Sequence, residues 1–318
     1  MRVDIHAHLF PDAYLDALEA GGLRGGSFVR ALGAGDTSDQ VDRRLGAMDE
    51  AGVDLQVLSP SSLQPALADG AAAAAAAALL NDRYAEVVRR RPDRFAAFAV
   101  VALPHVEVAL EGLDAALARR GVVGVAVATS VAGISIADAR FEPLFAELDR
   151  RAALLFIHPA GEAAGSPLIE GLGLSWALGA PIEDTVSVTH LIARGIPSRF
   201  PHLRIVNAHL GGALPMLLQR LENQFGRIAP EAPEPPRVAA RRMWFDTVAH
   251  GHVPALVAAR LSFGADRLVL GTDYPYVRGE HHRAAVDYIG AAGFTDADTV
   301  AIRDTQAATL IGRGPAPA

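Results

Sequence analysis

His6 and His8, one residue apart in "VDIHAHLFP", are the first residues whose type and spacing fit chemistry. In an extended strand, positions i and i+2 face the same way, roughly 6.5–7 Å apart. Asp4, His6 and His8 then share one side, and Val3, Ile5 and Ala7 the other. An exposed edge strand has this pattern, and so does half of a metal site, because two converging imidazoles suit zinc. Three further segments end in ionisable residues: "LLFIHP" in His158, "RIVNAHLGG" in His209 and "RLVLGTDYPY" in Asp273. A single histidine at any of these places reads as a hydrogen-bonded core residue, whereas five such residues on four strand ends read as a site. Three histidines and a carboxylate form a nitrogen/oxygen donor set suited to zinc, with manganese or iron also compatible. Such a site leaves a position for water, whose pKa a bound zinc lowers from about 16 to about 7. His209 then fits either a fourth ligand or a general base beside that water.

The elements that must position these residues alternate. Eight β-like runs, at 2–5, 53–59, 95–103, 122–129, 153–157, 203–208, 243–249 and 267–272, are separated mostly by helical patterns such as "VDRRLGAMDEAG" and "VEVALEGLDAALARRG". Eight strand–helix units predict a (β/α)8 TIM barrel, whose active site lies at the C-terminal ends of its strands, where these residues fall. The rival is an open doubly wound sheet, but no glycine-rich loop follows the first strand. Residues 11–40 read as an inserted excursion after strand one, and 159–180 and 229–236 as long loops. The eight alanines at 71–78 read as a biased surface helix. The expected organisation is one domain over 1–311 with a flexible tail at 312–318.

Composition narrows the class. The chain has 318 residues, a formal charge of −7 and no cysteine, so disulfides and thiolate metal sites are excluded. The acidic balance, with no basic run, argues against a nucleic-acid partner. No stretch reads as a membrane span or signal peptide, and a soluble cytoplasmic enzyme is the expectation.

Taken together, "DIHAHLFP", "FIHP", "NAHLGG" and "LGTDYPY" resemble, in order, the signatures of the amidohydrolase superfamily in its metal-dependent decarboxylase branch. Within it the aminocarboxymuconate-semialdehyde decarboxylases are most similar. The resemblance implies His6, His8, His158 and Asp273 as ligands of one divalent ion, most readily Zn2+ and secondarily Mn2+. It also implies His209 as the acid/base residue, with Asp273 sharing in catalysis. Arg44 and Arg220 correspond to arginines that bind a substrate carboxylate, Arg220 reaching the neighbouring subunit's site in a homodimer, and Trp176 corresponds to an aromatic pocket residue. From the residues alone, both arginines read more readily as surface or interface ion pairs, and Trp176 reads equally as core or pocket. Arginine suits the role because its guanidinium grips a carboxylate in a two-pronged way that lysine cannot copy. Ala160 departs from the family, where tryptophan often follows the His-Pro of strand five.

The function that the resemblance implies is non-oxidative decarboxylation of a small unsaturated or aromatic carboxylic acid. Hydrolysis of a lactone, ester or amide, or hydration of a conjugated acid, uses the same site and is the alternative. A metal-stabilised scaffold without catalysis is the non-enzymatic one. Of the remaining histidines, His250 shares parity with Asp246 and is a pocket candidate, while His252 starts the next helix. His281 and His282 lie in a loop near Asp273, and His105, His190 and His202 read as structural or solvated.

Overall fold

The computed structural model describes residues 1–23, 25–60 and 62–314. Ten strands form: β1 (Val3–His8), β2 (Leu55–Ser59), β3 (Phe95–Ala99), β4 (Val122–Ala128), β5 (Ser130–Val131), β6 (Ile134–Ser135), β7 (Leu154–His158), β8 (Arg204–Asn207), β9 (Trp244–Asp246) and β10 (Leu268–Val269). Eight of them make one parallel sheet in the order β1-β2-β3-β4-β7-β8-β9-β10, and β5 and β6 are a small antiparallel hairpin. The sheet curls back on itself: Ile5 N–H donates to the Leu270 carbonyl (3.0 Å), Asp273 N–H to His6 (2.8 Å) and His8 N–H to Tyr274 (2.7 Å). The result is the expected (β/α)8 barrel.

Barrel strands are covered on both faces, so they are apolar throughout rather than alternating. "FAAFA" and "LLFIH" obey that rule, and β1 is buried along its whole length, which removes the exposed-edge reading of its polar residues. Val3, Ile5, Val57, Phe98, Phe156 and Val206 fill the barrel, while a larger apolar layer joins the strands to the outer helices. An extra residue in β1 between Asp4 and Ala7 shifts its register against β2.

Several local expectations change. The excursion at 11–40 contains helices Asp12–Ala20 and Gly26–Ala31 and the start of a third, Ser38–Ala51. The alanine run belongs to the helix Gly70–Arg90 and is only half a surface feature: Ala73, Ala76 and Ala77 are buried, their small side chains letting the helix lie close to the barrel. β9 and β10, expected over 243–249 and 267–272, are shorter, at Trp244–Asp246 and Leu268–Val269. Within 159–180 there are short helical turns, including a π-helical one at Ser175–Gly179. Of the expected tail, residues 315–318 lie outside the described residues. Among the described residues, no helix is long and apolar enough to cross a membrane.

Candidate active site

Four histidines and one aspartate converge at the C-terminal ends of the strands, each ring held from behind through Nδ1. His6 Nδ1 meets Asp246 Oδ2 at 2.7 Å and His8 Nδ1 meets Ser59 Oγ at 2.9 Å. His158 Nδ1 meets its neighbour's carbonyl, Pro159 O, at 2.9 Å, and His209 Nδ1 meets Asp184 Oδ2 at 2.8 Å. Acceptors on Nδ1 place the proton there and turn the Nε2 lone pair inward, the arrangement that metal-binding imidazoles use.

The inward atoms crowd together. His6 Nε2 and His8 Nε2 are 2.9 Å apart, and Asp273 Oδ1 lies 3.0 Å from His8 Nε2 and 3.3 Å from His6 Nε2. One ligand atom from each of His6, His8, His158 and Asp273 falls within a 4.8 Å span, which fits a single cation bound by nitrogen and oxygen. His209 stands outside that set, with Nε2 3.9 Å from Asp273 Oδ2.

Buried charge points the same way. Asp4, Asp184, Asp246 and Asp273 are all buried around the cluster. Burial drives Asp4 and Asp184 up to about 6 despite their hydrogen bonds. Burial would raise Asp273 too, but His209, His6 and His8 hold it well below the carboxylate range. Desolvation opposes charge on His6, yet Asp246 and Asp273 outweigh it and lift that ring to about 9. Burial takes His8 down to about 4 and His158 well below the ordinary imidazole value, leaving both as neutral donors. For His209 burial is again outweighed, by Asp184 and Asp273, and the ring is raised well above its usual value. Anionic carboxylates this deep need positive charge beside them, which a divalent cation supplies.

Backbone strain concentrates here. His209 (φ 49°), Asp273 (φ 63°) and His250 (φ 49°) adopt the left-handed region that ordinary residues avoid. The "LGG" after His209 is equally constrained: Gly212 has φ 65°, and a Cβ there would lie 2.0 Å from the Pro181 carbonyl. Gly271 keeps the cluster tight, since a Cβ would come within 2.9 Å of both the His6 and Asp246 Cβ atoms.

A cavity of about 500 Å3 opens above the cluster, with His158, His209 and Asp273 at its base and Trp176, Tyr276 and Leu210 among its walls. No lysine or arginine lines it among the described residues. Trp176 is thus at the cavity, half exposed and stacked on Tyr276. His250 and His252 also line it, whereas His281 is exposed and His282 is buried against Tyr274, away from it. His105 bonds the Leu67 carbonyl, His190 bonds Ser135 and His202 is exposed.

Neither arginine is brought to the cavity. Arg44 is buried behind β1, donating to Gln56 Oε1 (2.9 Å) and the His8 carbonyl and covering the Tyr274 ring. Gln56 in turn donates to Asp4, which accepts from Thr272, so the chain of contacts straps β2 to β1 and to the segment that follows β10. Burial lowers the Arg44 pKa to about 10, as expected of a strut rather than a solvated hand. Arg44→Ala should therefore destabilise the fold by about 2–5 kcal/mol through a cavity and two orphaned acceptors, read by chemical denaturation. Arg220 is exposed on the helix Leu214–Ile228.

Sequence reasoning passed over Asp184, Ser59, Phe28 and Tyr276, and used Asp246 only as a parity marker. Asp246 and Ser59 sit at strand ends, the same signal that marks Asp273. Asp184 lies inside the helix Ala180–Ala193 and carries no such signal.

Residues 3–307 match the profile of the family described as Amidohydrolase. The 2-amino-3-carboxymuconate-6-semialdehyde decarboxylase of Dictyostelium discoideum is 27% identical over 302 residues, covering 88% of this chain and 83% of that protein. The gamma-resorcylate decarboxylase of Rhodococcus jostii is 30% identical over 293 residues, covering 86% and 87%. Among solved structures, the 2,6-dihydroxybenzoate decarboxylase from Rhizobium superposes with a TM-score of 0.80 at 25% identity, covering 98% of each chain.

Proposed function

Since the chain belongs to the amidohydrolase family, we propose that it is a metal-dependent, non-oxidative decarboxylase of a small unsaturated or aromatic carboxylic acid. His6, His8, His158 and Asp273 hold one divalent ion in this reading, and His209 moves the proton. The observation that carries it is the inward-facing Nε2/carboxylate cluster at the base of a cavity, with the Asp184-backed His209 beside it. The decarboxylase names of the relatives support the reaction class. Three imidazoles and one carboxylate favour zinc, with manganese second.

A divalent ion on these donors supplies Lewis acidity, polarising an oxygen of the acid and acidifying water. The chain's own residues do the rest. His209 holds a proton on Nε2 at the cavity base, stabilised by Asp184 at Nδ1, and delivers it to the carbon that bears the carboxylate. That carbon loses its conjugation, the bond to the carboxylate breaks, and its electron pair restores the conjugated system as carbon dioxide leaves. The delivered proton stays on the product, and His209 is recharged from solvent. Trp176 offers a flat apolar face to the ring.

The reading includes a homodimer with Arg220 near the interface, reaching the partner's substrate carboxylate. Met216 and Leu217, exposed on the same helix, support that face as an interface. On dilution through dissociation, activity should fall with the dimer population; constant activity removes Arg220 from the mechanism.

The deciding experiment incubates zinc-loaded protein with aromatic and unsaturated acids, 2,6-dihydroxybenzoate among them. Carbon dioxide and the decarboxylated product should appear in equal amounts, stop on chelation and return with metal. Absence of carbon dioxide, with cleavage of a lactone, ester or amide instead, transfers the site to hydrolysis.

A further inference from the structure

Three rings divide the barrel mouth. Tyr276 stacks on Trp176 (centroids 6.4 Å apart, planes 19° apart) and on Phe28 (6.3 Å, 13°), forming a ladder from three separate segments. On one side lies the cavity over His158, His209 and Asp273. The same rings line a second cavity of about 470 Å3, whose other walls include Leu63, Gln64, Val131, Ala160 and Glu162. The mechanism above leaves this space unused.

The second cavity is firmly built. Buried Glu183 accepts the N–H groups of Ala160 (2.7 Å) and Gly161 (3.1 Å) and the Thr129 hydroxyl (3.1 Å), fixing the loop that follows His158. Ser130 Oγ donates to Glu162 Oε2 at 2.6 Å. Glu162 is the cavity's charged side chain, and no histidine, lysine or arginine lines it among the described residues. The dividing ladder has a weak rung: Trp176 is half exposed on the π-helical turn Ser175–Gly179, a feature frequent at functional sites. Its indole has room only because residue 161 is glycine, where a Cβ would come within 2.8 Å of the ring.

We propose that the second cavity is a subsite for a ring-sized, uncharged or amine-bearing substituent of the acid, so that the substrate spans the ladder. This rests on the reading of the first cavity as the acid's site. The apolar walls receive the body of the substituent, and Glu162 and Gln64 meet a hydrogen-bond donor at its end. A second carboxylate is disfavoured, because it would lose its hydration beside Glu162, and no cation among the described residues lines the cavity to receive it.

The test is calorimetric titration of zinc-loaded protein with salicylate, with 4-phenylsalicylate, and with the latter carrying a carboxylate on its outer ring. The phenyl analogue should bind about tenfold more tightly than salicylate through added apolar burial. The carboxylated analogue should lose that gain, and Glu162→Gln should restore part of it. Ala160→Trp, and independently Ala66→Phe at another residue that lines only the second cavity, should abolish the gain and leave the salicylate Kd unchanged. Equal affinity of the wild type for the first two probes, or equal weakening of both by the two variants, overturns the subsite. If salicylate fails to bind while the phenyl analogue binds in an Ala160-dependent way, the subsite stands and the acid reading of the first cavity falls. If no probe binds, both fall.

Discussion

Purified His6→Ala/His8→Ala protein is expected to contain less than about a tenth of the metal found in the wild type, which should hold about one ion per chain, and to show no turnover. Two of the four donors disappear together, and the remaining pair, His158 and Asp273, cannot enclose an ion. The change also removes the rings that lie 3.0 and 3.3 Å from Asp273 Oδ1, leaving a buried carboxylate with fewer partners. Loss of a buried partner of this kind typically costs about 3–5 kcal/mol, so the variant should also melt earlier. Metal and stability can be read together. An ion present at about a thousandfold its Kd stabilises the native state by about 4 kcal/mol, and chelation should lower the wild-type midpoint while leaving the variant's unchanged. Elemental analysis beside thermal melts with and without chelator checks both. Full metal occupancy in the variant would break the ligand assignment, and metal absent from both proteins with no ion restoring it would bring forward the scaffold reading.

His209→Gln should have the opposite signature: metal retained, turnover lost by about 10²–10⁴-fold. The ring stands outside the donor cluster, 3.9 Å from Asp273, and its other nitrogen is committed to Asp184. Glutamine keeps polarity and rough size but cannot deliver a proton. The pH profile gives an independent sign. Despite burial, Asp184 and Asp273 keep His209 protonated well above the ordinary imidazole range, so activity should persist into mildly alkaline solution and fall as pH rises through that raised value. Asp184→Asn removes the first of those carboxylates, and the alkaline fall should move to lower pH, with metal content unchanged. Loss of metal from His209→Gln would make it a ligand, and an unmoved alkaline limb in Asp184→Asn would separate the pair from the proton transfer.

Barrel topology and the histidine–aspartate cluster were legible because both are carried by local pattern. Apolar runs spaced by helical periods announce buried parallel strands, and in such a barrel the residue that ends each run must face the mouth. His6, His8, His158 and Asp273 each end or follow a run of this kind, so the order of the runs in a barrel places them at one mouth. The alanine run and the excursion were harder, because alanine fits an exposed or a closely packed helix face equally, and the helices at 12–20 and 26–31 are short.

Residue type, strand-end position and chain order were determined by the sequence itself: one barrel and one nitrogen/oxygen set of strand-end residues, with His209 open as a fourth ligand or a base. Tertiary structure decided everything that depends on which side chain meets which across long separations. It gave Arg44 to Gln56 and the His8 carbonyl, where a buried guanidinium donates to nearby acceptors rather than reaching into a cavity. It brought Asp184 to His209 and Asp246 to His6, pairs 25 and 240 residues apart whose contact no periodicity encodes. It also stacked Phe28, Tyr276 and Trp176 across the mouth, because side-chain direction in irregular loops is set by packing rather than by spacing along the chain.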